Sequence, residues 1–96
     1  MKLIAVRPKN YRRIVLEAIK RLDAPRVFAD KKEVTDFSDR GPLTQTKLRQ
    51  CTDFLVRDGR QRVLGFHDHP DEMWISESHN DLTEYCEDMG WLTIES

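Results

Sequence analysis

The chain has 96 residues, 39% of them hydrophobic, which leaves room for one core and excludes a second domain, a barrel enzyme or a dinucleotide-binding fold. Its 16 Lys and Arg nearly balance 17 Asp and Glu, so the formal net charge is −1. That average hides a split: all 16 basic residues fall between Lys2 and Arg62, a segment of net charge +8, whereas residues 63–96 carry −9 and no Lys or Arg. A dipolar chain of this kind says more about partners than about fold.

At 34% charged residues and a mean hydropathy of −0.66 the chain is polar. Trp74, Trp91, four Phe and many Ile, Leu and Val still make it too apolar and too periodic for a disordered tail. The early apolar run Leu3-Ile4-Ala5-Val6 is too short for a signal-peptide core, and no stretch is long enough to cross a bilayer, so a cytoplasmic location is expected. Cys51 and Cys86 fall on apolar helical positions and are expected to be buried free thiols.

In chain order, residues 2–6 alternate weakly, as a short strand or an ordered arm. Asn10 caps a helix whose inward face is Tyr11, Ile14, Val15, Ala18, Ile19 and Leu22, opposite Arg13, Glu17, Lys20 and Arg21. Pro25 ends it, and residues 26–29 are extended. Asp30 with Glu33 three residues later reads as an aspartate form of the capping box, opening a short helix with Val34 and Phe37 inward. Pro42 precedes a longer helix with Leu48, Cys51, Thr52 and Leu55 inward, closed by Gly59 as a left-handed cap. Residues 62–67 and 73–76 are β-rich and joined by Asp68-His69-Pro70-Asp71-Glu72, the pattern of a hairpin. Ser78, with Asp81 three residues later, opens a last helix bearing Leu82, Tyr85, Cys86 and Met89 on one face. Gly90 stops it, and residues 91–95 form a final strand.

Helix, short strand, short helix, longer helix and hairpin, with the stretch from Thr44 to Gly59 as the longer helix, together resemble a winged-helix DNA-binding domain over about residues 9–76. The resemblance implies a single α+β domain of three helices plus a β-hairpin wing, extended by an acidic helix and strand over residues 77–96. It also implies that the third helix reads duplex DNA. The outward face of that helix offers Thr46, Gln50, Asp53 and Arg57, flanked by Lys47 and Arg49, and such residue types contact phosphates and base edges. Lys31 and Lys32 open the preceding helix, and Arg60 and Arg62 stand at the foot of the hairpin. The hairpin tip, with His67, Asp68, His69, Asp71 and Glu72, departs from the usual basic wing and would be repelled by phosphate.

The tip has a second reading. His67-x-His69-Pro70, with Trp74-Ile75-Ser76 and Asp81 downstream, is similar to the metal loop of JAMM-type metalloproteases, where two histidines and an aspartate hold zinc. It also partly matches the His-x-His-x-Asp-His signature of metallo-β-lactamases. Zinc with an open position would activate water. The spacing fails, however, because the residue three after Ser76 is His79, so no catalytic residue, metal or cofactor is expected.

Around the last helix stand Glu77, Asp81, Glu84, Glu87 and Asp88. Glu84, Glu87 and Asp88 are candidate contacts for a basic protein or a second copy; a mimic of DNA phosphates and a plain solvated helix are the other readings. The expected function is a non-catalytic, DNA-binding transcription regulator with an acidic surface for dimerisation or protein contact. The alternative is a small inhibitor or immunity-type module acting through the tip and last helix. A zinc hydrolase stands third.

Overall fold

The computed structural model describes residues 3–67, 73–76 and 79–91. In chain order its elements are β1 (Leu3–Val6), α1 (Tyr11–Lys20), β2 (Pro25–Ala29), β3 (Lys32–Val34), α2 (Gln45–Gln50), β4 (Asp53–Asp58), β5 (Gln61–His67), β6 (Met73–Ser76) and α3 (Asn80–Asp88). The strands form one sheet in the order β1-β6-β5-β4-β2-β3, with every neighbouring pair antiparallel. The fold is α+β, but a six-stranded sheet replaces the expected winged helix of three helices and a hairpin.

Two segments account for the difference. Asp30 and Lys31 both have positive φ, 50° and 70°, and Ala29 pairs with Lys32, so the segment expected to open a helix is the two-residue loop of the β2–β3 hairpin. Positive φ at both central positions is the pattern of a type I′ turn, whose twist suits antiparallel strands. Asp30 is therefore a turn residue, not a helix cap. The expected long reader helix ends at Gln50, and β4 begins three residues later. Leu48, Cys51 and Leu55 happen to keep helical spacing across that junction. The short apolar run Phe54-Leu55-Val56, followed by Asp58-Gly59, is the stronger signal: a two-residue loop with Gly59 at φ 61° turns β4 into β5. Gly59 is left-handed as expected, but as a turn residue.

Other expectations hold. Asn10 Oδ1 accepts the Arg13 N–H at 2.9 Å, and Tyr11, Ile14, Val15 and Ala18 are buried. The Gln45 side chain completes the cap, its Oε1 accepting the N–H groups of Tyr11 at 2.6 Å and Arg12 at 3.3 Å. Two elements distant in sequence are thereby tied at one helix end. Arg12 fixes the connection before α2, donating to the carbonyls of Phe37 and Leu43 and to Asp39. β5 and β6 pair as expected, although the tip between them, including His69, lies outside the described residues. The last helix begins at Asn80, with Ser78 outside the described residues, and Gly90 at φ 73° follows it. The expected final strand also lies outside them apart from Trp91, which is buried and accepts the Arg7 N–H through its carbonyl at 2.9 Å.

One face of the sheet presents Val6, Val27, Phe54, Val56, Leu64, Phe66, Met73 and Ile75 to the helices, all buried. Phe54 stacks on Phe66 at 5.6 Å between ring centroids, and Tyr11 of α1 meets Phe66 edge-on at 6.1 Å. A bulge in β5 inserts Val63, so Val63 and Leu64 are buried consecutively. Leu82 and Cys86 bring α3 into the same core.

A left-handed backbone costs an L-residue more than glycine. Lys31→Gly should therefore stabilise the fold by about 1 kcal/mol, read as a higher urea midpoint at unchanged slope.

Candidate functional site

The opposite face of the sheet is organised by register. Ala5 pairs with Trp74, Trp74 with Gly65, Gly65 with Leu55, Leu55 with Phe28, and Phe28 with Glu33. Side chains at paired positions share a face, so these residues form one row across the whole sheet. Phe28, Leu55 and Trp74 are only partly buried, and α1, α2 and α3 join the core on the other side. Gly65 is required here: a Cβ would come within 2.9 Å of the Trp74 ring and 2.5 Å of the Phe54 carbonyl oxygen, so the indole packs against bare backbone.

Beside this row runs a second, Arg26 paired with Arg57 and Arg57 with Arg62. Like charges placed directly opposite destabilise a sheet. Arg26 is relieved by a two-point contact with Glu33, at 3.0 and 3.2 Å. The guanidinium carbons of Arg26 and Arg57 lie 5.4 and 5.8 Å from the centre of the Phe28 ring. Among the described residues Arg57 and Arg62 make no ion pair. Phe28, Leu55, Trp74, Arg57, Arg62 and Lys31 border an open basin of about 370 Å³, with Asp53 and His67 at its margin.

Lys31 reaches this basin because its turn is anchored. Asp30 Oδ1 accepts the N–H of Thr52 at 3.0 Å, the Thr52 hydroxyl at 3.1 Å and the N–H of Asp53 at 3.2 Å. The Asp30 N–H donates to the Asp53 carbonyl at 2.7 Å. The three donors to Asp30, the Thr52 N–H foremost, hold its carboxyl below the ordinary aspartate range.

The residues expected to bind DNA thus divide. Lys31, Arg57 and Arg62 gather on the open face, and Arg60 stands exposed in the β4–β5 turn at its end. Thr46, Lys47, Arg49 and Gln50 are exposed on α2, in the helical layer, and Lys32 is exposed on β3. Arg49 lies 6.0 Å from the centre of the Tyr11 ring. Lys32, Lys47 and Gln50 share a separate cleft with Asp30, Glu33 and Asp36, so that region has mixed charge. Reading residues 44–59 as one helix put Arg57 with Lys47; as a strand, β4 carries Arg57 to the other side. Arg26, Phe28, Leu55, Gly65 and Trp74 escaped the sequence reading, although two short β-rich apolar runs flanking Asp58-Gly59 were the signal that could have found them.

Glu84, Glu87 and Asp88 are exposed on α3. His67 Nδ1 lies 3.3 Å from Asp53 Oδ1 at the end of β5, and no group of three metal-ligating side chains occurs among the described residues. Cys51 and Cys86 are free and buried, and burial raises both thiols, Cys86 to about 11, so both stay protonated and poorly nucleophilic. No described helix is long and apolar enough to cross a membrane. No family model, curated protein or solved structure matches the chain.

Because the folded state holds the Asp30 carboxyl below its unfolded value, its contribution is present above the unfolded aspartate pKa of about 3.9 and is lost as pH falls. Asn at this position keeps an acceptor but cannot titrate. The stability difference between wild type and Asp30→Asn should shrink between about pH 6 and pH 3 in urea titrations; a constant difference would contradict the assignment.

Proposed function

We propose that this chain is a non-catalytic binding module for single-stranded nucleic acid, which it takes on the open face of its sheet. The supporting observation is the pairing of two rows: a partly exposed apolar row holding Phe28 and Trp74, and beside it a row of arginines whose members Arg57 and Arg62 have no carboxylate partner among the described residues. Bases present flat π-faces that stack on aromatic rings, and their phosphates attract guanidinium groups, largely irrespective of sequence. A duplex hides those base faces. The shift from the α2 surface to the sheet therefore also shifts the expected ligand from duplex to single strand, within the nucleic-acid class that the +8 segment suggests.

A regulatory role in a cytoplasmic setting accords with this reading, and the free thiols suit a reducing compartment. The exposed carboxylates of α3 belong to the helical layer, where a basic protein or a second copy would not compete with the strand for the sheet.

Three cations, Lys31, Arg57 and Arg62, set the salt response. With about 0.7 counterions released per single-strand phosphate, the slope of log affinity against log salt should be about −2. Arg57→Ala should reduce its magnitude by about 0.7, while Lys47→Ala changes affinity less than about twofold. Anisotropy titrations with labelled oligothymidylate and oligouridylate read both. Absence of binding by either at low salt, or tighter binding to a duplex, overturns the proposal.

A further inference from the structure

The spacing of the two rings carries the reading further, to the manner in which a strand is held. Phe28 is on β2 and Trp74 on β6, with β4 and β5 between them, so three inter-strand steps separate the rings. At about 4.8 Å per step the separation is about 14 Å. Neighbouring stacked bases are about 3.4 Å apart, so no two adjacent bases reach both rings.

We infer that the bound strand runs across the β-strands with two non-adjacent bases clamped, one on Phe28 and one on Trp74, and at least one nucleotide between them over Leu55. Gly65 and Leu55 form the floor between the rings, and the Trp74 ring, packed against Gly65 and only partly buried, leaves indole surface open to a base. The arginine row is displaced from the aromatic row by two residues along the strands, about 7 Å, and runs parallel to it. Bases on the aromatic row therefore place their phosphates along Arg57 and Arg62. At the stacked spacing the rings lie about four base steps apart, so the shortest ligand that uses both is about five nucleotides, fewer where the strand is stretched, and the middle bases are the least read. The clamp rests on the single-strand reading proposed above, and its test separates the two.

The test is a length series of oligothymidylates, from two to eight nucleotides, titrated into the intact chain at low salt. Tryptophan fluorescence reports Trp74, against a constant background from buried Trp91. The expected result is a gain of about tenfold or more between the dinucleotide and the first length that bridges the rings, with gentler gains beyond. In an oligomer of that length, an abasic site at either end should lose about tenfold, and one in the middle less than about threefold. Phe28→Leu keeps an apolar strand residue without a π-face; it should abolish the penalty of an abasic site at one end only. Its circular dichroism and urea midpoint verify that the fold is retained. Affinity that rises smoothly with phosphate number and ignores abasic position overturns the two-ring clamp while leaving the nucleic-acid reading standing. Failure of every length to bind or to quench, as DNA or as RNA, overturns both.

Discussion

The pairing of β4 with β5 is the constraint on which the rest of the molecule depends. These strands stand at the centre of the sheet, and their register decides which side chains enter the core and which line the open face. Phe54 opposite Phe66 and Val56 opposite Leu64 point to the helices, while Leu55 opposite Gly65 and Arg57 opposite Arg62 point away. A slip of one residue would exchange the two sets, burying arginine and exposing phenylalanine. The two-residue turn at Gly59 fixes the register at one end, and it is itself held, its N–H donating to the Ala24 carbonyl while Asp58 accepts the Ala24 N–H. The bulge at Val63 adds a buried residue and shifts the parity of β5 by one, so that Arg62 and Leu64, two residues apart, face opposite ways and Arg62 stays on the face of Arg57.

The open face violates ordinary sheet design at several points that converge on one basin. Three arginines lie in one cross-strand row, a lysine occupies a left-handed turn position, and an indole rests on a glycine that could carry no larger side chain. Each of these costs stability in the isolated chain, and local rules broken together at one place mark function more often than accident. The inner face is dominated by aliphatic and aromatic side chains that pack against α1, α2 and α3, interrupted by the bulge at Val63 and by Lys32 at the β3 edge.

Much of this architecture was legible in the sequence. The amphipathic pattern of α1, the Asn10 cap, the β5–β6 pairing and the inward residues of α3 follow from local periodicity, because each is a local signal. What was not legible were the places where two local signals compete. Asp30 and Glu33 have the spacing of a capping box, but the anchoring of Asp30 by Thr52 and Asp53, more than twenty residues away, selects a turn. Leu48, Cys51 and Leu55 keep helical spacing across a boundary between helix and strand, which placed Arg57 on the wrong surface. The candidate site was half visible for the same reason: Lys31, Arg57 and Arg62 were named from charge, whereas Phe28, Leu55 and Trp74 meet only through register, which a linear pattern does not encode.

The shortness of β3 has a consequence for how the protein behaves in a crowded solution. An unpaired strand edge is a template on which other chains can add strands, and edges are commonly defended by brevity and charge. At the β3 edge only three residues are available, two of them Lys32 and Glu33, and Lys32 falls on the side of the sheet that otherwise carries the core. A chain extending the sheet there would gain few hydrogen bonds and would have to accommodate an exposed lysine and its charged neighbours. The molecule can therefore leave a broad, partly aromatic sheet face open to a ligand without that same sheet growing into an aggregate from this side.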